Sequence, residues 1–308
     1  MAYDALNEFS EFEVPVPRKP FPWINVILFL TTVCTTLFVG TVWMLGFEET
    51  RSSAAPGTLE LLFDQPILLL EGLPFAVALL SILLAHEMGH YLTCRHYGID
   101  ATLPYFIPAP TFVGTFGAFI KIRAPFHNRA TLLEVGVAGP IAGFVVAVPI
   151  LVFALTQSIF IDANSVEGSY SLGEPLIFSI IATLLGFQPP PGTELFIHPI
   201  GFAAWVGFLV TALNLLPIGQ LDGGHMVYAL FRSGHQRLSQ ILVFILLPLG
   251  IFLWPGWLIW AVLLVLLGTR HPPTLDDSIP LARRQIVLGW IGLILLILCF
   301  VPVPITIN

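Results

Sequence analysis

Hydrophobic and polar positions alternate along this chain in long blocks. A helix needs about 20 apolar residues to cross a bilayer. Runs of that kind lie at 23–45, 73–94, 132–155, 198–216 and 285–302. Residues 241–267 form a further run, read either as one helix or as two short ones turned at Trp254, Pro255 and Gly256. The break at 46–72 is acidic, with Arg51 its one basic residue, and 156–197 is again acidic and polar. Inside the latter, 175–187 is apolar but too short to cross, so it is expected to be an interfacial or re-entrant helix. Between 103 and 125 the chain stays mostly apolar, yet Pro104, Pro108, Pro110, Gly114 and Gly117 exclude a long helix. Residues 111–113 and 118–122 are predicted to pair there as strands around 114–117. The expected fold is an all-α polytopic membrane protein of about six to seven transmembrane helices with a short membrane-associated β-hairpin. It divides into an N-terminal cytoplasmic tail (1–22), a first transmembrane helix (23–45), a catalytic membrane core (73–232) and C-terminal transmembrane helices (233–308).

Composition supports the membrane reading. Of 308 residues, 56% are hydrophobic and 10% charged, against about 25% charged in soluble domains. The net charge is −7 without basic blocks, which argues against a nucleic-acid partner. Cys34, Cys94 and Cys299 lie in or beside apolar runs and suggest neither a disulfide framework nor a thiolate metal site. No cleavable leader is expected. If 241–267 crosses twice, every Lys and Arg except Arg51 falls on one side. The positive-inside rule then gives seven crossings, with the N-terminus cytoplasmic and the C-terminus outside. The cell membrane is the expected location.

The chemistry sits at the end of the second run, in Ala85-His86-Glu87-Met88-Gly89-His90. Residues at i and i+4 share one helix face, so His86 and His90 can grip one metal ion. Glu87 beside them can handle the proton of an attacking water. Counted along the helix from Leu73, His86 lies about 20 Å in, at hydrocarbon depth near the cytoplasmic face. Hydrolysis there demands a polar cavity open to that side. A catalytic zinc takes three protein ligands. Asp222, in Asn214-Leu-Leu-Pro-Ile-Gly-Gln-Leu-Asp222-Gly-Gly-His225, is the candidate third. Its alternative role is an N-cap of the next helix, and His225 is the alternative ligand. Helix rise from His198 brings Asn214 to the depth of His86.

His86-Glu87-x-x-His90 within a membrane span, with a later N-x-x-P-x-x-x-L-D-G at Asn214, Pro217, Leu221, Asp222 and Gly223, resembles the site-2 protease family of intramembrane zinc metalloproteases. The similarity runs from about residue 73 to 232 and includes Gly117-Ala118 and Gly139-Pro140. The resemblance implies zinc held by His86, His90 and Asp222, with Glu87 as catalytic base and Asn214 contacting the substrate backbone or oxyanion. It also implies a single-pass transmembrane substrate, drawn from the same lipid bilayer, and a hairpin that dips into the membrane beside the zinc. The hairpin's edge is expected to hold an unwound substrate as an added strand, the alternative being a surface hairpin that stabilises the fold. Where the family often carries Asn or Ser after Gly-Pro, this chain has Gly143, and 156–197 is too short for a PDZ-sized insert.

Three rival functions are a metal transporter using His86, His90 and Asp222 as a transit site, a zinc peptidase with a glutamate third ligand, and a non-catalytic binding protein. The later glutamates, Glu167, Glu174 and Glu194, fall outside the membrane, which disfavours the second; the intact H-E-x-x-H disfavours the third.

The remaining features read as structural. Thr131 with Glu134 fits a capping box. Gly136, Gly139 and Gly143 offer a small-residue packing face. His96, His127, His235 and His271 are expected at solvent or headgroups, His198 at the outer interface, and Trp254, Trp257 and Trp260 in an interfacial belt.

Overall fold

The computed structural model describes residues 21–52, 62, 64–162 and 170–307; most of the expected N-terminal tail lies outside them. The elements run α1 (Trp23–Ser52), a 3-10 turn (Pro66–Gly72), α2 (Leu73–His96), β1 (Tyr105–Pro108), β2 (Thr115–Phe119), α3 (Arg129–Gln157), β3 (Ile159–Asp162) and β4 (Tyr170–Leu172). They continue α4 (Leu176–Leu184), β5 (Thr193–Phe196), α5 (Pro199–Asn214), α6 (Asp222–Phe231), α7 (His235–Phe252), α8 (Gly256–Leu267), α9 (Arg283–Cys299) and β6 (Ile305–Ile307). Four helical stretches among the described residues are long and apolar enough to cross a membrane: Trp23–Ser52, Pro66–His96, Arg129–Gln157 and Asp222–Phe252. Pro199–Asn214 and Gly256–Leu267 are apolar but shorter. The apolar helices make this a membrane protein.

At its centre α3 packs against α2 and α5. Lipid tails are as apolar as leucine, so helices associate in a bilayer through close van der Waals contact rather than hydrophobic burial. The α2–α3 crossing shows how closely: a Cβ on Gly89 would stand 2.5 Å from the Ala138 carbonyl oxygen. Helix α5 is buried along nearly all its length, including Trp205 and Phe208. Its shortness is therefore no obstacle, because the irregular backbone that follows is enclosed by protein.

The chain after α6 folds back on itself. Helices α7 and α8 turn at 253–255, and Trp257 Nε1 donates to the Pro302 carbonyl at 2.8 Å. That turn therefore lies at the same end of the bundle as β6, which pairs antiparallel with β4. Trp257 is fully buried, not part of an interfacial belt. Two strand pairs, β3–β5 and β4–β6, were not expected. The last helix stops at Cys299, short of the expected 302, because Pro302 and Pro304 cannot donate to a continuing helix. The 175–187 segment forms the half-buried α4, and α1 runs on to Ser52, beyond the expected end at 45.

The hairpin forms, with its strands shifted. The expected strand at 111–113 falls inside the turn, where Gly114 N donates to the Thr111 carbonyl at 3.0 Å. The prolines explain the shift. Pro104 and Pro108 flank an extended stretch, which a residue before proline favours, and proline is tolerated on an edge strand. Gly117 lies within β2 rather than in the turn.

Helix α1 is the hairpin's rail. Asn25 Nδ2 donates to the Leu103 and Pro104 carbonyls, Thr35 Oγ1 to the Gly114 carbonyl at 2.7 Å, and Trp43 Nε1 to the Phe112 carbonyl at 2.8 Å. From Asn25 to Trp43 is about 27 Å of helix, so the hairpin runs through most of the bundle's depth. Gly114 has φ +82°, and a Cβ there would stand 2.8 Å from the Thr35 carbonyl oxygen. Gly114→Ala is expected to cost on the order of 1–3 kcal/mol and to lower the thermal midpoint of detergent-solubilised protein; an unchanged midpoint would show that the hairpin is not clamped to α1.

Candidate metal centre

Helix α2 presents His86 and His90 one turn apart, both buried. Asp222 reaches them from another part of the chain. Helix α5 ends at Asn214, and the backbone turns through Pro217 and through Gly219 at φ +56°. Helix α6 then begins at Asp222. Gly223 is required here, because a Cβ would overlap the Leu215 carbonyl oxygen. Leu221, not Asp222, occupies the N-cap position. The Asp222 carboxylate faces the histidines instead.

Three atoms define the centre. His86 Nε2 lies 3.2 Å from Asp222 Oδ2 and 3.2 Å from His90 Nε2, and His90 Nε2 lies 3.3 Å from Asp222 Oδ2. Tetrahedral ligands about 2.0 Å from zinc are about 3.3 Å from one another. The three donors thus form one face of such a tetrahedron, the arrangement that leaves a fourth position open. Among the described residues this is the one such group of three potential metal ligands. His90 Nδ1 is 2.7 Å from the Val135 carbonyl, to which it donates, leaving Nε2 as the lone-pair nitrogen. Asn214 Nδ2 stands 3.4 Å from His86 Nε2, at the rim of the same face. Glu87 is buried, and the backbone of Ile120, just past β2, lies against its carboxylate.

The glycine face of α3 makes room for these side chains. A Cβ on Gly139 would overlap His90 Nε2, and one on Gly143 would stand 3.3 Å from His86 Nδ1. What reads in sequence as a helix-packing stripe is a seat for two imidazoles. The glycine that replaces the family's frequent polar residue lies directly against His86.

Other assignments need correction. The capping box does not form: Asn128 caps α3, its Oδ1 accepting from Thr131 N at 2.9 Å. Glu134 is buried and accepts from Tyr97 Oη at 2.6 Å, Gln285 Nε2 at 2.7 Å and Arg284 Nη2 at 3.3 Å. It ties the end of α2 to α3 and α9, one residue before the carbonyl that orients His90. The signal in the sequence was a carboxylate within an apolar run. The Tyr97 hydroxyl, donating to that carboxylate, is held above its ordinary pKa.

His225 is not in the ligand set, its Nδ1 lying 2.6 Å from His271 Nε2. His235 is buried, not at solvent, and its ring packs against His271, which stacks on Tyr228. His96 and His127 are exposed. His198 caps α5 at the opposite end of the bundle, accepting from Ile200 N.

The 269–282 segment is strapped across the entry to α3. Leu275 N and Asp276 N donate to the Phe126 and His127 carbonyls at 2.9 Å, and Tyr228 Oη donates to Asp277 at 2.8 Å. Beneath the strap lies a cavity of about 400 Å³ bordered by Ile120, Phe126, Gln220, His225 and His271. It reaches Ile120, which touches Glu87, and it has room and polar partners for water.

Comparison with known proteins places the chain in a family. The profile of peptidase family M50 matches residues 74–254, and the chain belongs to that family. It is 30% identical over 308 residues to a protein named probable zinc metalloprotease EGY1, chloroplastic, from Arabidopsis thaliana, covering 94% of this chain and 55% of that one. A protein of the same name from Oryza sativa subsp. japonica is 28% identical, with 94% and 52% covered. Probable zinc metalloprotease EGY2, chloroplastic, from Arabidopsis thaliana is 31% identical over 251 residues, with 79% and 44% covered. The chain spans about half the length of the curated relatives it matches. Their names are chloroplastic, which lends no support to a cell-membrane location or to the expected orientation of the termini.

Gly139→Ala should push a methyl group into His90. Zinc content of the purified variant, by elemental analysis, is expected to fall several-fold while its helical circular dichroism persists; full occupancy would show that α3 does not seat the histidine. A second expectation concerns acid. Burial pulls the His271 pKa from its ordinary 6.5 to about 4. The folded state therefore favours neutral His271, and its contribution is complete above 6.5 and lost as pH falls from there toward 4. Amide protection across 269–282, corrected for the intrinsic exchange rate at each pH, should fall over that window, and a His271→Gln variant should flatten the response; identical profiles would contradict the assignment.

Proposed function

We propose that this chain is a zinc-dependent endopeptidase that hydrolyses a peptide bond in or next to a transmembrane segment of a membrane-protein substrate. The observation that carries the reading is the triangle of His86 Nε2, His90 Nε2 and Asp222 Oδ2 with the Glu87 carboxylate beside it. His86, His90 and Asp222 are the metal ligands in this reading. Bound zinc supplies Lewis acidity, polarising a carbonyl and acidifying water. Glu87 takes the proton from the attacking water and delivers it to the leaving amine. The Asn214 amide, at the rim of the same face, donates to the oxygen on which charge develops.

The rest of the chain serves substrate delivery. A helical peptide bond is masked by its own hydrogen bonds, so a substrate must unwind before attack. Strand β2 pairs only with β1 among the described residues, and its end touches Glu87. An unwound substrate adding to that edge as a strand is held beside the base. The 73–232 region is the catalytic core, 23–45 a transmembrane rail for the hairpin, and 233–308 the C-terminal spans. Counting α7 and α8 as separate crossings gives seven spans, with the Lys- and Arg-bearing loops on the cytoplasmic side with the metal centre. The substrate is a single-pass protein cleaved within the bilayer, in the manner of regulated intramembrane proteolysis.

Glu87→Gln is expected to retain zinc and lower turnover of a transmembrane reporter by roughly 10²–10⁴-fold, whereas Asp222→Ala loses zinc affinity. Elemental analysis beside a detergent cleavage assay checks both. Undiminished turnover by Glu87→Gln would overturn the mechanism.

A further inference from the structure

A cavity lies at the other end of the bundle from the metal centre. Its volume is about 730 Å³, and Trp43, Phe47, Phe178, Phe196, Phe202 and Trp205 line it. Helix α5 begins at its wall and ends at Asn214, about 24 Å away. The size is that of a site for a compact organic ligand or a few peptide side chains. Glu174 and Glu194 also line it, both exposed and neither ion-paired among the described residues. The described charges at this end are otherwise Glu48, Glu49, Asp64, Glu71 and Asp162 against Arg51 alone, and Arg51 is paired with Glu48 at 3.2 Å. Aromatic faces rimmed by carboxylates suit a cationic group carried beside a large apolar one. Anionic lipid headgroups are repelled by the same rim.

The cavity is connected to the metal centre by the hairpin. Trp43 in the cavity wall donates to the Phe112 carbonyl at the hairpin's tip, and the Phe112 ring lies 6.3 Å from that of Phe202. From that tip β2 runs to Ile120, which touches Glu87. A segment seated in the cavity is thus aligned with the strand edge that leads to the base.

We infer that this cavity is a second recognition site, taking the flank of the substrate on the side opposite the metal centre and selecting Lys or Arg next to a large apolar residue. The inference rests on the proteolytic reading given above. Geometry sets the spacing: the extended part of the hairpin from Thr115 to Ile120 spans about 17 Å. The selected residues therefore lie at least about 5 positions from the scissile bond if the intervening chain is extended, and at least about 11 if it is helical.

The test uses the full chain in detergent, carrying Glu87→Gln so that binding is read without cleavage. The probe is a short fluorescent peptide of alternating lysine and phenylalanine, followed by anisotropy. Binding is expected to be salt-sensitive and to weaken roughly tenfold in Glu174→Gln/Glu194→Gln, with a glutamate–phenylalanine peptide not binding. In the chain with Glu87 intact, a reporter with a Lys-Phe flank should show a KM raised by the double substitution with kcat unchanged, and a Ser-Gly-flanked reporter should show no such change. Peptide binding indifferent to both glutamates, or phospholipid retained in the cavity by native mass spectrometry and not displaced by the peptide, would overturn the inference. Binding as expected with no reporter cleaved would leave the cavity assignment standing and remove the proteolytic reading instead.

Discussion

The structure depends on how closely α3 approaches α2. Two imidazoles and a carboxylate at membrane depth are tolerable only if they meet one another and are enclosed. Gly89, Gly139 and Gly143 allow this, because a methyl group at Gly89 or Gly139 would strike backbone or ring and one at Gly143 would crowd the His86 ring. With the helices in contact, the Val135 carbonyl fixes the His90 tautomer, and Glu134, one residue earlier, anchors α3 to the end of α2 and to α9. The ligand from the far part of the chain then needs only a broken helix, supplied by Pro217, Gly219 and Gly223.

A second order of organisation is built on α1. A two-stranded hairpin is marginal alone, and in an apolar medium its unpaired backbone groups are costly. Asn25, Thr35 and Trp43 satisfy its carbonyls at the start, turn and tip, so one helix carries the hairpin through the depth of the bundle. Ile120, just past β2, touches Glu87, and the turn before the strand meets an aromatic chamber. Chemistry and selectivity can thus be separated by most of a membrane's thickness while sharing one rigid element.

Sequence disclosed the parts of this arrangement that side-chain pattern encodes. Apolar runs marked the long helices, and i, i+4 spacing marked His86 and His90. Proline and glycine density marked the hairpin region, and the Asp222 loop was found by the need for a third ligand. What stayed hidden depends on backbone and on long-range contact. A carbonyl such as that of Val135 has no sequence signature. Thr131 and Glu134 matched a local capping pattern, but Asn128 took the cap and Glu134 found partners on other helices. His235 and His271 read as surface groups because nothing local says that the 269–282 strap folds over α6. Strands β3 to β6 are too short for periodicity to show, and their partners are distant in the chain. The hairpin's strands shifted because Pro104 and Pro108, read only as excluding a long helix, sit on an edge that does not need their missing N–H groups.

The central claim is that one zinc ion is held between α2 and the start of α6 by two imidazoles and a carboxylate. X-ray absorption at the zinc edge of the purified protein tests it most directly. The account predicts only nitrogen and oxygen neighbours at about 2.0 Å, with the outer-sphere scattering of two imidazoles, and loss of one light-atom neighbour in Asp222→Ala. Sulfur at about 2.3 Å, a single imidazole, or a spectrum unmoved by Asp222→Ala would contradict it.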